Sequence, residues 1–121
     1  KDLGITTNGL VLEKKLPALH AAGVNQLNVS LDTLVPEKFE FITRRKGFSR
    51  VVSAIEAAVE AGYHHAGTQT IKVNVCVMNG FNEDELSDFV SWCVAALLCV
   101  YPLDACIAPD LLHLRDFESV M

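Results

Sequence analysis

The residues of this chain whose types could do chemistry fall into three groups. Polar side chains recur at every second position inside otherwise apolar stretches: Thr6 and Asn8, then Asn28, Ser30 and Asp32, then Lys72, Asn74 and Cys76. Four cysteines (Cys76, Cys93, Cys99, Cys106) and the adjacent pair His64-His65 are candidate metal ligands, and Arg44-Arg45-Lys46 is a candidate phosphate clamp. Spacing argues against the last two groups. No cysteine pair has the short separation that zinc and iron–sulfur sites use. The histidines sit in a loop without a partner at ligand spacing and read as surface residues. The basic triplet lies between two helical patterns and reads as a solvated loop. Cys76, inside an apolar strand pattern, reads as a buried thiol.

The alternating polar positions carry more information. A hydroxyl, a carboxamide and an amine on one strand face are suited to holding a polar ligand. Each also has a plainer reading. Thr6 is a β-branched residue of the kind strands favour, and Lys72 is a candidate solvated edge lysine. Ser30 and Asp32 are residues that bond local backbone at a strand exit. Asn8-Gly9 is a common turn dipeptide.

The elements that must position these residues follow from periodicity. Leu3 to Thr7, Gln26 to Leu31 and Ile71 to Met78 alternate with period two and are predicted strands. Leu16 to Ala22 is a short helical pattern with Pro17 in its first turn and Gly23 at its C-terminal cap. Pro36 to Ile42 opens at a proline. Phe48 to Ala61 places Phe48, Val51, Val52, Ile55, Ala58 and Val59 on one stripe and closes at Gly62. Asn82 and Glu85 are spaced as a capping box, and Phe81 with Leu86 as a hydrophobic staple. Beyond Ser91 the run Trp92 to Tyr101 is uncharged and apolar on every side. The order β-α-β-α-α-β-α, with helical crossovers, implies parallel strands and right-handed connections. That is an α/β fold, either an open doubly wound sheet or a barrel segment.

The strand faces bear on that choice. Leu27, Val29 and Leu31 oppose Gln26, Asn28 and Ser30, and Ile71, Val73, Val75 and Val77 oppose Lys72, Asn74, Cys76 and Met78. Parallel sheets are normally apolar on both faces. A polar face has two explanations, a lumen filled by a polar ligand or a solvent-exposed antiparallel sheet, and helical crossovers favour the lumen. Half of the 121 residues are apolar and 21% are charged, which suits one small globular domain. The net charge of −5 argues against a nucleic-acid surface. The uncharged run Phe89 to Leu103, interrupted by Ser91 and Pro102, is too short for a membrane span.

Four stretches carry a family resemblance: Thr6-Thr7-Asn8-Gly9; Asn28-Val29-Ser30-Leu31-Asp32-Thr33-Leu34; the run from Phe39 through Ile42-Thr43-Arg44-Arg45-Lys46-Gly47 to Phe48; and Lys72-Val73-Asn74 continuing to Asn79-Gly80-Phe81-Asn82 and Leu86. In this order and spacing the chain resembles the GTP 3′,8-cyclase family of molybdenum cofactor biosynthesis, within the radical S-adenosylmethionine superfamily. The third stretch looks like the animal form. The resemblance implies part of a (β/α) barrel, with residues 1–90 as its central portion and residues 91–121 as a divergent tail. It implies a 4Fe-4S cluster, S-adenosylmethionine and GTP. In the family's reaction S-adenosylmethionine is reductively cleaved to a 5′-deoxyadenosyl radical, which takes a hydrogen from the GTP ribose before the ribose carbon closes onto C8 of the purine.

Three family roles fall on matching positions: Thr6 and Lys72 as GTP contacts, and Ser30 as an S-adenosylmethionine contact. All three lie on the polar face identified from alternation alone. No catalytic residue or metal ligand is assigned within the chain. The family's three-cysteine cluster motif is expected upstream of Lys1, so the chain is expected to be a fragment, inactive by itself. The loop His64 to Thr70 looks about five residues longer than the family's, and either shifts the third strand's register or bulges outward. Two rival readings remain: a non-catalytic fragment that pairs with the full-length enzyme or a second copy through open sheet edges, and a radical enzyme with another substrate. The animal-form resemblance places the protein in the mitochondrial matrix.

Overall fold

Alternation and helical period resolve into strands and helices close to those expected. The structure, a computed structural model, describes residues 1–64 and 67–95, and the backbone of 99–102. His65, Cys106 and the rest of 103–121 lie outside the described residues. The elements run β1 (Gly4–Thr7), α1 (Leu12–Ala21), β2 (Gln26–Ser30), α2 (Pro36–Thr43), α3 (Phe48–Glu60), β3 (Thr70–Val75), a single 3₁₀ turn (Glu83–Glu85), α4 (Leu86–Ala95) and β4 (Cys99–Pro102). The sheet order is β1-β2-β3-β4, and every neighbouring pair is parallel. Each new strand is therefore added to the same edge. A doubly wound sheet reverses its strand order partway, whereas this order belongs to a barrel segment.

Two departures from the sequence reading have local causes. Helix α1 begins at Leu12, a full turn before the expected start, because Leu12 and Leu16 bury one helical turn apart against the sheet. Pro17 consequently sits inside the helix rather than in its first turn, which removes one intrahelical hydrogen bond. The run Trp92 to Tyr101 is not one helix. The stripe Leu86, Phe89 and Cys93 continues to the end of α4 at Ala95, and residues Cys99–Pro102 then form a fourth strand beside β3.

Helices α1 and α3 end in the same way. After α1, Gly23 donates to the His20 carbonyl and Val24 to the Leu19 carbonyl; after α3, Gly62 donates to Val59 and Tyr63 to Ala58. This pair of bonds is the Schellman motif. It requires a left-handed residue, and Gly23 (φ 86°) and Gly62 (φ 106°) supply it without a Cβ penalty. The first turn delivers Val24 and the second Tyr63 into the core, both buried.

One continuous core joins the helices to one face of the sheet. Leu27, Val29 and Leu31 from β2 and its exit, and Ile71, Val73, Val75 and Val77 from β3 and its exit, are all buried. They meet Leu12 and Leu16 of α1, Phe39 of α2, Val51, Ala54, Ile55 and Ala58 of α3, and Phe89 and Cys93 of α4. Ala54, outside the expected α3 stripe, is fully buried, whereas Val52 is only half-buried. The small Ala54 and Ala58 side chains suit close approach of α3 to its neighbours. The segment after Tyr63 is tied at its two ends. His64 N–H donates to the Gln69 carbonyl and Ile71 N–H to the His64 carbonyl, closing the loop's base. Strand β3 thus keeps Ile71 and Val73 facing the core. His64 is half-buried through this pairing with Thr70, not a surface residue.

Two outcomes are expected. Replacing Ile55, fully buried at the centre of α3's core face, by alanine will cost about 2–5 kcal/mol of unfolding free energy by urea titration. The second concerns Tyr63, whose hydroxyl donates to the Val24 carbonyl at 2.6 Å inside the core. Burial raises its phenol above the ordinary value of 10.0. The unfolded chain therefore releases that proton first as pH rises, so this contribution to stability is complete below about pH 10 and is lost above it. Denaturant titrations through this range will show the decline, and Tyr63→Phe will flatten it.

Candidate functional site

The face opposite the helices carries two polar rows, set by strand register. Thr6 lies opposite Asn28, and Asn28 opposite Lys72. One step nearer the C-terminal ends, Ser30 lies opposite Asn74. With strands about 4.8 Å apart, Thr6 and Lys72 stand roughly 10 Å from each other, and the two rows are about 6.6 Å apart along the strands. Thr6 and Ser30 are exposed, while Asn28, Lys72 and Asn74 are half-buried. Among the described residues the side chains of Thr6, Asn28, Ser30 and Asn74 make no hydrogen bond. The three residues singled out from the sequence, Thr6, Ser30 and Lys72, thus share one accessible face. A small hollow beside Ser30 is lined by Asp32, Thr33, Phe39 and Thr43, at the exit of β2.

The strand exits are tied together by buried and half-buried polar groups that periodicity did not reveal. Asp32 Oδ1 accepts from the Cys76 N–H at 2.9 Å, joining the exit of β2 to that of β3. Asn82, buried, donates to the carbonyls of Asp32 (2.6 Å) and Cys76 (2.8 Å) and accepts from Met78 N–H (2.7 Å). Glu85, also buried, accepts from the Thr33 hydroxyl and the Leu34 N–H, each at 2.8 Å. Lys38 donates to Glu85 at 3.3 Å and to the Phe81 carbonyl at 2.6 Å, and it lies 3.6 Å from Asp84.

These bonds replace two expected motifs. Asn82 makes no side-chain cap, because its amide is committed to backbone groups of both strand exits. Phe81 stacks on Phe41 with ring centroids 6.1 Å apart and lies beneath the Lys38 ammonium. The missed signal was spacing: Glu85, Phe89 and Cys93 fall four residues apart, which puts a carboxylate on a buried helical stripe. A buried carboxylate must be paired.

The remaining candidates are not drawn into the polar rows. Arg44, Arg45 and Lys46 are exposed, as expected of a solvated loop. Cys93 is buried in the core face of α4. Cys76 lies just beyond β3 and is half-buried rather than buried. No described helix is long and apolar enough to cross a membrane.

Comparison with known proteins bears on this site. The model of the radical SAM superfamily matches residues 1–93. The GTP 3′,8-cyclase, mitochondrial, of Arabidopsis thaliana is 56% identical over 90 residues, covering 74% of this chain and 22% of that protein. The molybdenum cofactor biosynthesis protein 1 of Mus musculus is 55% identical over 91 residues, 75% of this chain and 14% of its own length. The GTP 3′,8-cyclase of Syntrophomonas wolfei is 46% identical over 89 residues, 74% of this chain and 26% of that protein. The chain therefore spans about a quarter or less of the length of these relatives.

The superfamily implies a 4Fe-4S cluster and S-adenosylmethionine. Among the described residues no three His, Cys, Asp or Glu side chains converge to hold a metal, so these residues do not fit the cluster. The polar rows do fit a polar organic ligand, since they present unpartnered hydroxyls and carboxamides on an accessible face.

The clasp at the strand exits can be tested by unfolding. Glu85→Ala strands the Leu34 N–H and removes the acceptor of the Thr33 hydroxyl, while Lys38 keeps the Phe81 carbonyl and Asp84, and it will cost about 2–4 kcal/mol. Glu85→Gln keeps the shape and one acceptor, and will cost about 1–3 kcal/mol. Urea titration of both variants checks the order.

Because the family match begins at residue 1, runs into the buried stripe of α4 and takes in all three strands that carry the polar rows, the chain belongs to the radical SAM superfamily.

Proposed function

We propose that this chain is the central, nucleotide-holding part of a GTP 3′,8-cyclase acting in molybdenum cofactor biosynthesis. The observation that carries this reading is the register that sets Thr6 and Lys72 in one row, flanking Asn28, with Ser30 one row above. GTP lies across the lower row. The Thr6 hydroxyl serves as donor or acceptor to it, and the Lys72 ammonium provides a compact cationic donor for a phosphate or purine acceptor. S-adenosylmethionine is held at the exit of β2, where the exposed Ser30 hydroxyl meets it. This puts the two ligands about one row apart, close enough for a radical from one to reach the sugar of the other.

When bound, S-adenosylmethionine supplies the radical chemistry. The contribution of these residues is to bind, to orient and to keep the two ligands in fixed relation. The cluster that reduces S-adenosylmethionine is held by residues other than those described, so the described segment alone is inactive. Mitochondria are the proposed compartment, in keeping with the Arabidopsis relative's name.

A chimera tests this reading. The 90-residue stretch of this chain that aligns with the Arabidopsis cyclase at 56% identity replaces its counterpart in that enzyme. The chimera is expected to convert GTP to (8S)-3′,8-cyclo-7,8-dihydroguanosine 5′-triphosphate under anaerobic, reducing conditions. Lys72→Met in the chimera is expected to weaken GTP binding about 10- to 100-fold, the effect of losing a charged hydrogen bond. A folded, cluster-loaded chimera that binds no GTP overturns the reading.

A further inference from the structure

Asn28 occupies the middle of the lower polar row, between Thr6 on one neighbouring strand and Lys72 on the other. Its side chain is half-buried and makes no hydrogen bond among the described residues. Asn74, one row further on, shares this unbonded state, whereas three asparagines outside the polar rows behave differently. Asn25 bonds Asp2 and the Leu3 N–H, Asn8 bonds the Leu10 N–H, and Asn82 ties the strand exits. Asparagine is depleted in strand interiors, and partial burial of an amide without a partner is unfavourable. Nothing in the packing of β2 requires a carboxamide here, because the core face of that strand is made by Leu27, Val29 and Leu31.

We propose that Asn28 is a substrate-contacting residue that orients the nucleoside part of GTP. This rests on the reading of Thr6 and Lys72 as GTP contacts. The row assigns the ligand: Asn28 is level with those two residues, whereas Ser30 lies about 6.6 Å further along the strand. The chemistry assigns the part of the ligand. A carboxamide is neutral and offers a donor and an acceptor side by side, which suits sugar hydroxyls and ring nitrogens. Lys72 brings the charge in that row.

The test uses the active chimera described above, with ligand affinities measured anaerobically by equilibrium dialysis. Asn28→Ala is expected to weaken GTP and GMP alike by about tenfold and to leave S-adenosylmethionine affinity within twofold. Asn28→Asp, which keeps the shape but adds a negative charge to the row, is expected to weaken GTP further than alanine does. It guards against a folding defect in the alanine variant, and thermal unfolding of both checks the fold. Unchanged GTP affinity in a folded Asn28→Ala protein overturns the proposal, as does an equal loss of S-adenosylmethionine. A parent chimera that binds no GTP overturns the GTP reading itself and this inference with it. A parent that binds, beside an alanine variant that binds equally, overturns the role of Asn28 alone.

Discussion

A right-handed crossover that adds each parallel strand to the same edge of a sheet leaves its helix on one side only. Every other feature of this chain depends on that constraint. The order β1-β2-β3-β4 directs α1, α2, α3 and α4 to a single face, where they bury Leu27, Val29, Ile71 and Val73. The opposite face receives no helix from the described chain. Polar side chains there keep access to solvent or ligand, so Thr6, Asn28, Ser30, Lys72 and Asn74 persist without the cost of full burial. The rows exist because the fold is one-sided.

Rows of side chains are useful to a ligand only if their spacing is fixed. The backbone ladder fixes it within the strands, but ladders end at Ser30 and Val75. Beyond that point Asp32, Asn82 and Glu85 take over, bonding the exit of β2 to the exit of β3 and to the start of α2. Asn82 and Glu85 are buried and Asp32 is half-buried, so water competes little for the bonds of the first two. Ser30, the last residue of β2, stands two residues before Asp32 and is thereby held in register with Asn74. The backbone bonds of His64 with Gln69 and Ile71 serve the same end, because they tie down the start of β3.

A large part of this was legible in the residues themselves. Alternation in Gln26 to Leu31 and Ile71 to Met78 separated a core face from a polar face, and both faces stand where the alternation put them. A greasy face opposite a polar one favoured a ligand-lined lumen over an exposed sheet, and the four resembling stretches pointed to the radical SAM superfamily that residues 1–93 match. These signals are local: each is set by side-chain periods of two or 3.6 residues. The start of α1 was less legible because Pro17 suggested a boundary that the burial of Leu12 overrode.

By itself, then, the sequence determined which strand face is polar, which residues stand on it and which family they resemble. Only the tertiary structure decided that Thr6, Asn28 and Lys72 form one row and that Ser30 belongs to the next. It also decided that Asn82 and Glu85 clasp distant strand exits instead of capping their own helix, and that a fourth strand follows α4. The physical reason is the range of the interactions. A side chain's face follows from its neighbours in the chain, whereas register and the partners of buried polar groups depend on residues about 20 to 50 positions away, which meet only after folding.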